Sequence, residues 1–174
     1  MERTTHNRGG ISLKNIFIGL FALVAFAATV AYAQPNNTQT INLVVPAVLR
    51  VDISPVSVTL DLGTVTPTPG TDLVGPVTDG SSTYRYVHNS ATDAIVSVGI
   101  GSGLPAGMSL GATLTAPAGA TGSTVDLTGG GTVDAVSGLD RGAGSGTVTY
   151  SFSASAFLAD PGTVTRTVTY TLHN

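Results

Sequence analysis

Apolar and polar residues alternate in steps of two along most of this chain after Ala33, and nowhere there do apolar residues recur at the three-and-four spacing of a helix face. The pattern predicts an all-β protein. Its longest run places Ile41, Leu43, Val45, Ala47, Leu49, Val51 and Ile53 on one face, with Asn42, Arg50, Asp52 and Ser54 on the other. Pro46 interrupts it and cannot donate to a ladder. The run is therefore an edge strand, a bulged strand, or two shorter strands joined at the proline. Ser57 to Leu62 predicts a second short strand, followed by a long irregular connection marked by Gly63, Pro67, Pro69, Gly70, Gly75 and Pro76. Ser82 to His88 alternates again, with Tyr84, Tyr86 and His88 on one side and Arg85 and Val87 on the other. A turn over Asn89–Asp93 leads to a strand at Ile95–Ile100. Met108, Leu110, Ala112 and Leu114 form the next face.

Between Pro117 and Gly146 glycine and threonine dominate, so Ser123–Leu127 and Gly131–Val136 predict weak strands whose register side chains specify poorly. Strong patterning returns with Val148, Tyr150, Phe152 and Ala154. A closing run of Val164, Val168, Tyr170 and Leu172 follows the Asp160-Pro161-Gly162 turn, and these last two runs read as a hairpin. About seven to nine short strands separated by turn residues point to an immunoglobulin-like or jelly-roll β-sandwich.

Upstream of this body, Leu13–Ala33 carries an apolar segment, with Arg3, Arg8 and Lys14 before or at its start. Ala31-Tyr32-Ala33 before Gln34 has the small-x-small form cut by signal peptidase. The reading is a signal peptide over residues 1–33, with no transmembrane segment after cleavage, and a secreted, extracellular or cell-surface β-sandwich over 34–174. Two readings compete with cleavage. Gly9-Gly10-Ile11-Ser12 ahead of an apolar stretch faintly resembles the processing site of type IV pilins, and an uncleaved anchor would also use the same segment.

Composition narrows the function classes. Removing residues 1–33 from the 174-residue chain leaves 141, enough to bury roughly two-thirds of the unfolded surface. That remainder has no lysine, glutamate or cysteine, and carries nine aspartates against four scattered arginines, Arg50, Arg85, Arg141 and Arg166. Nucleic-acid binding lacks its clustered cations. Disulfides, thiolate metal sites and cysteine nucleophiles lack their residue, and Schiff-base or P-loop chemistry lacks its lysine.

For catalysis, His88 with Asp93 and a nearby serine is the arrangement to weigh, but no G-x-S-x-G elbow supports it. The expectation is a non-enzymatic protein without a catalytic residue or cofactor. Calcium is the one ion the residue types favour, through Asp72 and Asp79 in the first long loop and Asp134 and Asp140 in the second. Tyr84 and Tyr86 offer either a small aromatic platform for sugar or a pair of core side chains.

Gly144-Ser-Gly-Thr-Val-Thr-Tyr150, followed by Pro161-Gly-Thr-Val-Thr-Arg-Thr-Val-Thr-Tyr-Thr-Leu172, resembles the closing hairpin of secreted bacterial surface sandwiches. These include spore-coat U-type proteins, WxL-type proteins and pilus or adhesin modules. Val58–Thr66 is similar to their opening strand. The resemblance implies a structural part of a bacterial cell surface. Two functions follow as expectations. One is a filament or surface-layer subunit that associates with itself or with other surface proteins by donor-strand pairing, using an exchangeable strand within 34–53. The alternative is a monomeric binding module for surface polysaccharide.

Overall fold

Each run of alternating residues needs a partner for its backbone and a second layer for its apolar face, and the fold supplies both with two antiparallel sheets. The computed structural model describes residues 38–174; the expected signal peptide, its cleavage site and the pilin-like reading fall outside the described residues. Val44–Asn174 is one unit, and residues through Leu43 belong to another. Among the described residues there are nine strands: β1 Leu49–Ser54, β2 Leu73–His88, β3 Ala94–Ile100, β4 Met108–Leu114, β5 Thr121–Gly122, β6 Thr124–Asp126, β7 Gly131–Leu139, β8 Gly142–Ser155 and β9 Val168–His173. One sheet runs β1-β2-β8-β4-β6 and the other β5-β7-β3-β9. The protein is an all-β sandwich. Among the described residues no helix is long and apolar enough to cross a membrane.

Inward positions match the alternation. Tyr84 and Tyr86 of β2, Leu110, Ala112 and Leu114 of β4, and Val148 and Tyr150 of β8 face Val96 and Val98 of β3, Val136 and Leu139 of β7, and Leu172 of β9 in a single buried cluster. Outward neighbours such as Arg85 and Val87 are exposed.

The glycine-rich stretch that looked weak in sequence begins the second-longest strand. Gly142, Gly144 and Gly146 of β8 lie opposite His88, Tyr86 and Tyr84 of β2. A Cβ on Gly144 would come within 2.7 Å of the Tyr86 hydroxyl, and one on Gly146 within 2.6 Å of Tyr84 and 2.2 Å of the Thr115 carbonyl oxygen. Each ring thus occupies the space left by the missing side chain, and this aromatic-on-glycine fit pins the register.

Four expectations are corrected. The first strand starts at Leu49, because β2 ends at His88 and the ladder goes only one backbone hydrogen bond further, from the Asn89 amide to Val48 O. Ser57–Leu62 pairs with neither sheet. Val58 and Leu60 pack half-buried on the core, while the Asp61 carboxylate accepts a 2.8 Å hydrogen bond from the Gly63 amide and turns the chain into a 3-10 turn at Leu62–Thr64. Pro76, read as loop, lies within β2 at a register shift; β1 stops opposite Thr83, so this half of β2 is itself an edge, where proline is tolerated. Finally, β8 and β9 form no hairpin. They belong to opposite sheets and face each other across the core, with the Tyr150 and Tyr170 hydroxyls hydrogen-bonded between the layers.

These buried phenols make a pH prediction. Burial pushes Tyr84 up to about 12, and burial followed by the Tyr150 hydrogen bond raises Tyr170 as well. An unfolded tyrosine ionises near 10. The folded state therefore holds protons that the unfolded state has already released, and this stabilisation is complete below about pH 10 and lost as pH rises through about 12. Tyrosinate absorbance should appear together with loss of β circular dichroism in that window. Ionisation well ahead of unfolding would contradict the burial of these rings.

The two lateral sides of the sandwich differ. On one, residues 121–126 serve both sheets: β5 pairs with β7, β6 pairs with β4, and between them the Ser123 amide donates to Ala135 while its carbonyl accepts from Leu114, at 2.9 and 3.0 Å. This strand seals the core. On the other, β1 and β9 lie side by side with no backbone hydrogen bond between them.

A candidate assembly segment and its surroundings

The seven apolar positions expected to act as one strand divide at Pro46. Leu49, Val51 and Ile53 lie in β1, with Val51 and Ile53 packed on the core. Ile41, Leu43 and Val45 belong to no strand, and their side chains are 71%, 87% and 82% exposed. Ala47 is exposed as well.

Asn89 fixes how the chain enters β1. The ladder continues one step past Leu49, with the Asn89 amide donating to Val48 O at 3.1 Å. Beyond it the Asn89 side chain takes the place of a missing β2 residue: its Oδ1 accepts from the Val48 amide at 2.8 Å, and its Nδ2 donates to Pro46 O at 2.7 Å. This polar clip holds Pro46–Val48 in line with β1, past the end of β2. A cleft of about 450 Å³ lies beside it, lined by Val45–Leu49, Asn89, Ser90, Arg141 and Asn174. Arg141 Nε donates to Ser90 O at its wall.

The other candidate residues are placed elsewhere. Asp72 accepts from Ser155 Oγ and from the Phe157 amide, tying the end of β8. Asp79 accepts from Ser81, whose hydroxyl and amide hold its carboxyl below the usual carboxylate value. Asp134 sits on β7 beside Ser97, and Asp140 follows β7 where its carbonyl accepts from His88. Among the described residues no three of His, Cys, Asp or Glu converge as a metal site would require. No such group forms around either pair of calcium candidates, Asp72 with Asp79 or Asp134 with Asp140. Tyr84 and Tyr86 are 0% and 7% exposed, so they are core residues and form no sugar platform.

His88 is buried. Its Nε2 meets the Leu139 and Asp140 carbonyl oxygens at 3.0 and 2.8 Å and must carry the hydrogen that both accept. Nδ1 is buried without a partner. Neither ring nitrogen is hydrogen-bonded to Asp93.

A serine, histidine and aspartate do meet, in a combination the sequence did not predict: Ser97 on β3, the calcium candidate Asp134 on β7 and His173 on β9, brought together by the strand order β7-β3-β9. Ser97 Oγ donates to Asp134, and His173 Nε2 lies 2.6 Å from Ser97 Oγ and 3.3 Å from Asp134 Oδ1. The Ser97 bond, ahead of His173, holds Asp134 below the usual carboxylate value. A hydrolytic relay uses the two ring nitrogens for two different partners. Here one nitrogen serves both, and the serine hydrogen points at the carboxylate instead of at the base. The trio works as a polar tie across three strands. Only the strand order places it, and no local motif marks it.

No protein-family model matches this chain, and no match is found among curated proteins or solved structures.

Proposed function

We propose that the chain is an exported, non-enzymatic structural subunit of a bacterial cell surface that assembles by inserting its N-terminal segment into a neighbouring sandwich. The observation that carries this reading is the uncharged stretch Thr38–Val45, which belongs to no strand and whose Ile41, Leu43 and Val45 side chains stand in solvent upstream of an edge strand. Burying each such side chain contributes about 1.5–3 kcal/mol, and extended backbone gains a ladder only from a sheet edge. A composition that lacks lysine, cysteine and clustered cations after residue 33 fits a structural part. The polysaccharide module loses its best contact residues, because both tyrosines are core.

The exchangeable stretch lies upstream of Pro46, since Leu49–Ser54 already belongs to the protein's own sheet. Deleting residues 34–45 from the exported chain should leave the melting temperature within a few degrees and abolish concentration-dependent polymers in light scattering. A deletion variant that still polymerises would overturn the reading.

A further inference from the structure

We infer that the seam between β1 and β9 is the acceptor, and that its occupant is the Thr38–Val45 segment of a second copy of this chain; the inference rests on the assembly reading above. Three observations single out the seam. It is the lateral side that the chain leaves unsealed: residues 121–126 bridge the two sheets on the other side, whereas β1 and β9 end their sheets here without bonding to each other. Beneath it the core is only half covered, with Val51 and Ile53 of β1 and Val168 and Tyr170 of β9 partly buried against the central cluster. One wall is undefended. Edge strands commonly discourage pairing with charged side chains, and β1 carries Arg50 and Asp52, but Val168–Leu172 of β9 has no charge.

The donor suits this edge. Thr38–Val45 has eight residues against the six of β9, no charge, and Ile41, Leu43 and Val45 at alternate positions, so one face would cover the core while the backbone completes the ladder.

The free chain argues for a second copy over its own segment. Thr38–Val48 forms no strand, and Val45 stands 82% exposed just upstream of the Asn89 clip. The seam is therefore left to a neighbour's segment. Because adjacent strands stand about 4.8 Å apart, β1 and β9 must part to about 10 Å to admit a strand between them.

The chain has no cysteine, so introduced thiols report the contact without background. One full-length population would carry Asn42→Cys, on the donor face turned away from the core. The other would carry Thr169→Cys or Thr171→Cys on β9, both exposed positions, or Thr124→Cys on the sealed side. After mixing and mild oxidation, covalent heterodimers between the Asn42→Cys variant and the β9 variants are expected, with at least tenfold less product for Thr124→Cys. Polymers that form without the β9 cross-link, or that cross-link equally to Thr124→Cys, would overturn the seam while leaving strand exchange standing. Absence of both polymer and cross-link would overturn the two together. A disulfide closing within single chains of the Asn42→Cys/Thr169→Cys double variant at high dilution would overturn the second copy as occupant.

Discussion

Gly146→Val should destabilise the sandwich by about 3 kcal/mol, at the upper end of overpacking effects, and lower its melting temperature by about 10 °C. The added Cβ alone would lie 2.2 Å from the Thr115 carbonyl oxygen and 2.6 Å from the Tyr84 ring and hydroxyl. Neither neighbour can retreat cheaply. The carbonyl belongs to the backbone and already accepts the 2.8 Å hydrogen bond of the Tyr84 hydroxyl, and Tyr84 is completely buried. Relief must come from moving β8 away from β2, which breaks the ladder that joins the two longest strands. Gly101 provides the control, because a Cβ there meets nothing within 4 Å. Gly101→Ala should leave the melting temperature within about a degree. If Gly146→Val melts like the parent protein, Tyr84 does not lie on Gly146.

The second large effect concerns assembly. Leu43→Asp should raise the protein concentration needed for polymerisation about 100-fold, since losing a leucine's burial removes about 2–3 kcal/mol and each 1.4 kcal/mol is a factor of ten. Leu43 is 87% exposed in the free chain, so the folded subunit should keep its melting temperature. That combination separates an intermolecular contact from a structural one. Unchanged polymerisation would mean that Leu43 touches no neighbour, and a large loss of stability would mean that it belongs to the subunit's own core.

The alternation of Tyr84, Tyr86 and His88, of Leu110, Ala112 and Leu114, and of Val148 and Tyr150 was readable directly, because burial against a second sheet imposes period two. Sheet order was not readable, since nothing local says which edge a strand will join. The closing pair shows this. Val148–Ala154 and Val168–Leu172 look like hairpin arms, yet they lie in opposite sheets, and only the Tyr150–Tyr170 contact across the core relates them. One non-local feature did leave a trace: Tyr-x-Tyr-x-His at 84–88 is matched by Gly-x-Gly-x-Gly at 142–146 in antiparallel order. Complementary size could have paired them.

The proposed assembly segment was half legible. Apolar alternation from Ile41 to Ile53 is continuous in sequence, so nothing but Pro46 marked where the subunit's own strand would begin. The boundary is set by where β2 runs out at His88 and by the Asn89 side chain that finishes the ladder. Conversely, Ser57–Leu62 has the pattern of a strand and lacks a partner for its backbone. Pattern specifies which face seeks burial. The availability of an edge decides whether a strand forms.

Sedimentation velocity of residues 34–174 at increasing concentration, with electron microscopy of the same samples, tests the central claim most directly. Strand exchange predicts growth from single subunits to linear polymers that survive dilution slowly, because a paired and buried strand must be withdrawn to release each subunit. A chain that stays monomeric at every concentration, with Ile41, Leu43 and Val45 still in solvent, would contradict it.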